Sequence, residues 1–214
     1  MNKLQNIKMR TTTLFFSILI CFSIMNFSCK TSKKGNSTCV EVIQNSTFAG
    51  NLTESEMYVI KSLFESNRMD FSKYHFYQLD KDDLGFHHVK CFQLINNLKV
   101  FSEELIFHFN KNNENYLISG NVINSLKLDD KQSLNKNKAV EIFLGKITQE
   151  KASMVDKNIQ KGCFEVEFGY YGLDGSKGKF VKVWKVKPKG KDHPYAYIND
   201  DNSEIVYYDN GVRF

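Results

Sequence analysis

A period-two alternation beginning just after Gly85 constrains this chain more than any other feature. In "HHVKCFQLI", Val89, Cys91, Gln93 and Ile95 share one face of an extended strand, while His88, Lys90, Phe92 and Leu94 share the other. "NNLK" supplies a turn, and "VFSEELIFHFN" returns with Leu105, Phe107 and Phe109 opposite Ile106 and His108. "KNNEN" then turns the chain into "YLISGNVINSLKL". Alternating strands joined by connections of a few residues make an antiparallel meander, whose apolar face needs a cover.

Two amphipathic segments offer that cover. Thr53 followed by Glu56 is a capping-box signal, and Met57, Ile60 and Phe64, with Val59 and Leu63 alongside, form a helical apolar face. Between this helix and the meander, "RMDFSKYHFYQLDKDD" reads as mixed and turn-like towards its end, with His75 between aromatics as a packed or surface-exposed residue and not a catalytic one. After the polar break "DDKQSLNKN", "KAVEIFLGKI" places Ala139, Ile142, Phe143 and Ile147 at helical spacing. "GCFEVEFGYYG" sets Phe164, Val166 and Phe168 against Cys163, Glu165 and Glu167. "GKFVKVWKVKPKG" and "HPYAYINDDNSEIVYYDNG" add at least two more strands, with "GSKGK", Gly175 to Lys179, as a hairpin turn. The expected fold class is α+β: two small helix-on-antiparallel-sheet modules in tandem, over residues 53–127 and 128–214, with Trp184 in the second core.

The N-terminus reads as a leader instead of fold. Lys3, Lys8 and Arg10 precede an apolar run from Leu14 to Phe27, shorter than the roughly 20 residues of a membrane-crossing helix, so residues 1–28 are expected to be an export signal. "NFSC" places a small residue before Cys29 and resembles the bacterial lipoprotein signal, which would make Cys29 a lipidated membrane anchor and residues 29–52 a polar tether. The alternative is plain secretion, with Cys29 as an ordinary thiol. Without residues 1–28, 26 basic side chains face 24 acidic ones. This near-neutral balance and the absence of a long basic stripe leave nucleic acid without support as a partner. Cys39, Cys91 and Cys163 allow one disulfide in an oxidising compartment, and spacing does not choose the pair.

Catalytic patterns are missing. His87 and His88 are adjacent and point to opposite faces of a strand, so one metal cannot easily take both. His88 and His108 can approach across neighbouring strands, with Glu103 or Glu104 nearby and His75 as a further ligand, which gives a zinc-hydrolase alternative. Ser119 in "LISGN" has no histidine and acid defined by spacing. Cys91 lies on the face opposite His88, and the carboxylate pairs Glu103/Glu104 and Asp82/Asp83 have no pattern that separates an acid from a base. No cofactor and no catalytic residue is expected.

The stretch "DDLGFHHVKCFQLINNLKVFSEELIFHFNKNNENYLISGN" resembles the fungalysin and thermolysin propeptide (FTP-type) module that precedes zinc endopeptidases. Asp83, Leu84, Gly85, His88, Gln93, Val100 and His108 carry the resemblance, with Lys90 for an arginine, Asn97 for a turn glycine and Lys99 for a proline. The second unit is similar to the PepSY-type module that follows in such propeptides, through a helix centred on Ala139 and a closing hairpin containing Trp184 and Glu204. The second unit is expected to close the protein without a peptidase region after it. The resemblance implies a non-enzymatic, exported, propeptide-like lipoprotein, inhibitor-like or chaperone-like, that binds a secreted zinc peptidase or another exported protein. A structural envelope-associated module without a protease partner is the blander alternative.

Overall fold

The computed structural model describes residues 38–124, 126–150, 159, 162–173 and 178–213. The expected signal, Cys29 and the centre of the "GSKGK" turn lie outside the described residues.

Helix α1, Glu54–Ser66, starts where the capping box predicts. Thr53 Oγ1 accepts from the Glu56 N–H at 3.2 Å, and the Glu56 carboxylate accepts from the Thr53 N–H at 2.8 Å, so two otherwise orphaned donors are satisfied. The helix ends at Asn67, whose side chain donates to Leu63 O and Asn113 O and accepts from the Asn115 N–H, each at 2.8 Å. That asparagine therefore ties the helix end to a distant hairpin. Ile60, Leu63 and Phe64 are buried against strands β2 (Tyr74–Lys81), β3 (His87–Ile95) and β4 (Leu98–Phe109), where Phe76, Val89, Cys91, Leu105, Phe107 and Phe109 form the floor. Phe64 is the centre of this core, with the rings of Phe76 and Phe107 each 4.8 Å away edge-on. Half of the segment read as mixed, Tyr74–Lys81, is thus strand. Its alternation is hidden because β2 shifts register between Phe76 and Gln78.

Helix α2, Lys136–Gln149, is capped by Asn135, whose Oδ1 accepts from the Lys138 N–H at 2.9 Å. It buries Ala139, Val140, Phe143 and Ile147 on β6 (Phe164–Gly172), β7 (Phe180–Pro188) and β8 (Tyr195–Asn199), with β9 (Ile205–Asp209) at the margin. Trp184 is in this core as expected, and its indole N–H donates to Leu134 O at 2.9 Å and to Asp200 Oδ1 at 3.1 Å. Asp200, only 2% exposed, also accepts from the backbone N–H groups of Ser133 (2.7 Å) and Leu134 (2.9 Å). One carboxylate thus fixes the approach to α2 to the core strand beneath it.

Among the described residues the mixed fold has two α-helices and one large, mainly antiparallel sheet in the order β2-β3-β4-β6-β7-β8-β9, with β5 (Asn115–Ser119) on β4 and β1 (Val40–Val42) on β6. A core does form beneath each helix, but the strands of both are hydrogen-bonded into one sheet, a join that the tandem reading does not contain. It is a short parallel contact pairing Lys99 with Gly169 and Val100 with Tyr170. A Cβ on Gly169 would sit 2.4 Å from Lys99 O, so only glycine lets the strands approach here. Beside it, the Lys99 ammonium meets Glu167 at 2.7 Å, with both side chains nearly buried.

The chain before α1 strengthens the join. Residues 29–52 are expected to be a tether, yet the described part enters the sheet at Val40. β1 runs parallel to β6, and the Ile43 N–H donates to Val166 O at 2.8 Å. A few residues later the same strap reaches β2, where Phe76 N–H donates to Thr47 O and Ala49 N–H to Phe76 O, both at 2.8 Å. Phe48 and Leu52 pack into the first core. Three apolar residues in a polar background are too few to register as a strand by periodicity. Cys39 and Cys163 form the disulfide at the start of the strap, and Cys91 is free and buried.

Candidate interaction site

The β2–β3 turn is organised by Asp82. Its Oδ1 accepts from the N–H groups of Leu84 (3.0 Å) and Phe86 (2.8 Å), and Gly85 takes a left-handed φ of 83° that suits glycine. These bonds, that of Phe86 foremost, hold the Asp82 carboxyl below the usual range, with His88 adding to the effect. The acid facing His88 is therefore Asp82, at 3.5 Å from Nε2, while Asp83 and Leu84 are exposed at the tip. An acid two residues before Leu-Gly, able to cap the turn through its side chain, is the signal that marks Asp82.

His88 and His108 stand directly opposite each other on β3 and β4, and their Nδ1 atoms are 2.8 Å apart. Ser119 Oγ lies 3.0 Å from His108 Nε2. Four side chains from the turn, β3, β4 and β5 thus line up as Asp82, His88, His108 and Ser119, although spacing alone gives Ser119 neither a histidine nor an acid. Burial, helped by the neighbouring His88, lowers the His108 pKa. The other histidines stay apart. His87 faces away from the pair, its pKa lowered by burial and by Lys81, and His75 Nδ1 meets Ser46 O at 2.6 Å. Glu104 is bonded to Tyr77, and Glu103 lies 3.5 Å from the Asn121 amide. Among the described residues no three metal-ligating side chains gather at one point, so the zinc-hydrolase set of His88, His108 and a third ligand does not assemble. Cys91 has its thiol pKa raised by burial beneath α1 and is unsuited to nucleophilic chemistry.

Gln93 works as a side-chain strand partner. Its amide donates to Ile123 O at 2.6 Å, and its Oε1 accepts from the Ile123 N–H at 2.8 Å. This two-bond clamp fixes the chain that leaves β5. Val100 is fully buried at the β4–β6 join. The two-residue Asn96-Asn97 turn has φ values of 52° and 60°, the left-handed pair of a tight hairpin that asparagine tolerates. In the second half Glu204 is exposed and accepts from the Asn202 amide at 2.8 Å.

Within the same stretch, β5 is an outward strand. It pairs with β4 alone among the described strands, and Tyr116, Leu117 and Ile118 are 55%, 50% and 38% exposed. A run of apolar side chains on an open edge is a template for another strand.

Residues 77–122 match the Fungalysin/Thermolysin Propeptide Motif. The match runs from inside β2 through the turn, the histidine pair, Gln93 and the whole of β5. It is a propeptide motif and not a catalytic domain. No curated protein matches the chain.

Proposed function

We propose that this is a non-enzymatic, exported, propeptide-like protein that binds a secreted zinc peptidase or another exported protein, as an inhibitor or folding aid, while anchored to a membrane through a lipid on Cys29. The observation that carries the reading is the propeptide motif over residues 77–122, whose named residues are consumed by turn, histidine pair and clamp and leave the β5 edge open. A module kept only for envelope structure has no use for an apolar edge, and Tyr116, Leu117 and Ile118 favour binding by strand addition. In this reading residues 53–127 form the propeptide-type unit and residues 128–214 a PepSY-type unit that braces it.

The test uses the purified full chain with secreted zinc peptidases. Saturable binding is expected, with inhibition of the folded enzyme or faster refolding of the denatured one. Leu117→Lys and Ile118→Pro should weaken binding at least about tenfold. Neither inhibition nor assisted refolding across the set of peptidases would refute the protease-partner reading.

A further inference from the structure

Counting donors along the row Asp82, His88, His108 and Ser119 assigns one arrangement that leaves nothing unpaired. Asp82, 3.5 Å from His88 Nε2, only accepts, so it draws the His88 N–H to Nε2 and leaves Nδ1 a lone pair. His108 Nδ1–H then donates to His88 Nδ1 across 2.8 Å, and the Ser119 hydroxyl donates to His108 Nε2 across 3.0 Å. One added proton breaks no contact. It sits on His108 Nε2, Ser119 turns from donor to acceptor, and a single hydrogen still lies between the rings, free to shift toward His88 and the Asp82 carboxylate. A second added proton has no place. Nδ1–H would face Nδ1–H, with no acceptor between two cations whose ring centroids are 5.0 Å apart.

From this geometry we infer that the row is an acid-operated latch on β5, which holds the edge strand while the histidine pair carries at most one added proton and loosens it once the pair carries two. The inference rests on the strand-addition reading, since β5 is the edge on which a partner would pair. Strands β3 and β4 cannot part to relieve the doubly charged pair, because Val89, Leu105 and Phe107 fix them in the first core. A ring must turn out instead, and the surrounding charges decide which.

Both nearby carboxylates stand on the His88 side. Asp82 faces His88 from the turn, and Asp80 lies across from it on β2, bonded to the Gln78 amide at 2.9 Å and paired with Lys90 of β3 at 3.5 Å. His87 points to the other face of β3, with Lys81 across from it, and Glu104, farther along β4, is bonded to Tyr77. Across from His108 on β5 is Leu117, and the Tyr116 ring is 6.1 Å away. The ring without a carboxylate leaves, and the contact to Ser119 goes with it. Burial and the neighbouring His88 lower the His108 pKa, so the tie is full above the ordinary value of 6.5 and is lost as the pH falls through the lower folded value. Asp82 keeps its charge over that range, because its carboxyl lies below the usual 3.8. Asn115 still ties the start of β5, its N–H to Asn67 Oδ1 at 2.8 Å and its amide to His108 O at 3.1 Å, so the loosening is confined to Leu117–Ser119.

Amide hydrogen exchange of the full chain, corrected for the pH dependence of free-peptide exchange, is followed from about pH 7.5 to about pH 4.5. Exchange over Leu117–Ser119 should rise at least about tenfold on acidification while β3 stays protected. Ser119→Ala should show most of that rise already at the upper pH, and His108→Gln should abolish the step. His75→Gln and His193→Gln should keep it. An unchanged β5 at the lowest pH, the same step in the His88→Gln/His108→Gln double variant, or a rise shared equally by β3 and β4 overturns the latch. Should a variant fail to fold, ring 15N spectra of the unaltered chain decide. One proton between the two Nδ1 atoms should be seen at the upper pH and vanish with the exchange step, and its persistence through the step would also overturn the latch. No partner enters these measurements, so a missing step leaves peptidase binding standing, and failed peptidase binding leaves the step to be seen.

Discussion

Removing the Asp200 carboxylate should cost this protein more than the loss of any single surface charge. Its oxygens accept from Ser133 N–H at 2.7 Å, Leu134 N–H at 2.9 Å and the Trp184 indole at 3.1 Å, with the Lys182 ammonium 3.7 Å away. Hydrogen bonds to a charged acceptor contribute about 1.5–3 kcal/mol each, but water can reach Ser133, which is exposed, and Trp184 keeps a second acceptor at Leu134 O. Asp200→Ala should therefore cost about 3–5 kcal/mol, the range seen when one partner of a buried pair is deleted. At roughly 2–4 °C per kcal/mol for a domain of this size, the Tm should fall by about 6–20 °C. Asp200→Asn keeps one acceptor and the shape, and should cost about half as much. Urea unfolding followed by the emission of Trp184, the one tryptophan in the chain, reads the affected strand directly. A loss below about 1 kcal/mol for Asp200→Ala, or equal losses for the two variants, would refute the capping role argued here.

Gly169→Ala should cost about 1–3 kcal/mol by forcing β4 from β6, where the new methyl would lie 2.4 Å from Lys99 O; slowed amide exchange at the join should be lost first. Deleting the Cys39–Cys163 bond by a double alanine substitution should cost about 2–5 kcal/mol in chemical denaturation, since it closes a long loop. His75, His87 and His108 all have folded pKa values below the usual 6.5, each chiefly through burial. The unfolded chain then takes up protons first on acidification, so their contribution is full above about pH 6.5 and is lost as the pH falls through the lower folded values. The Tm should drop between pH 7 and 5, and His108→Gln should flatten part of that slope.

Much of this architecture can be read from periodicity and capping. The alternation around Val89, Cys91, Leu105 and Phe107 marks β3 and β4, and Thr53 with Glu56 marks the start of α1, because each pattern has a local physical cause. Three things are not local. β2 carries a register shift, so its inward residues do not keep a strict alternation. The strap is short and polar, and only its partners on β6 and β2 make it part of the sheet. The join between the halves depends on Gly169 and on the Lys99–Glu167 pair, residues distant in sequence whose meeting no window can report. At the site, His88 and His108 stand out by resemblance, but the roles of Asp82 and Ser119 depend on the turn and on β5 reaching the same face.

The placement of the disulfide also decides how the protein bears tension. A pull on the chain before Cys39 reaches Cys163 through a covalent bond and enters the sheet at β6, fourth of the seven strands in its main path. The hydrogen bonds that the strap makes to β2 lie beyond that bond and carry no load while it holds. The molecule is therefore gripped at the middle of its sheet.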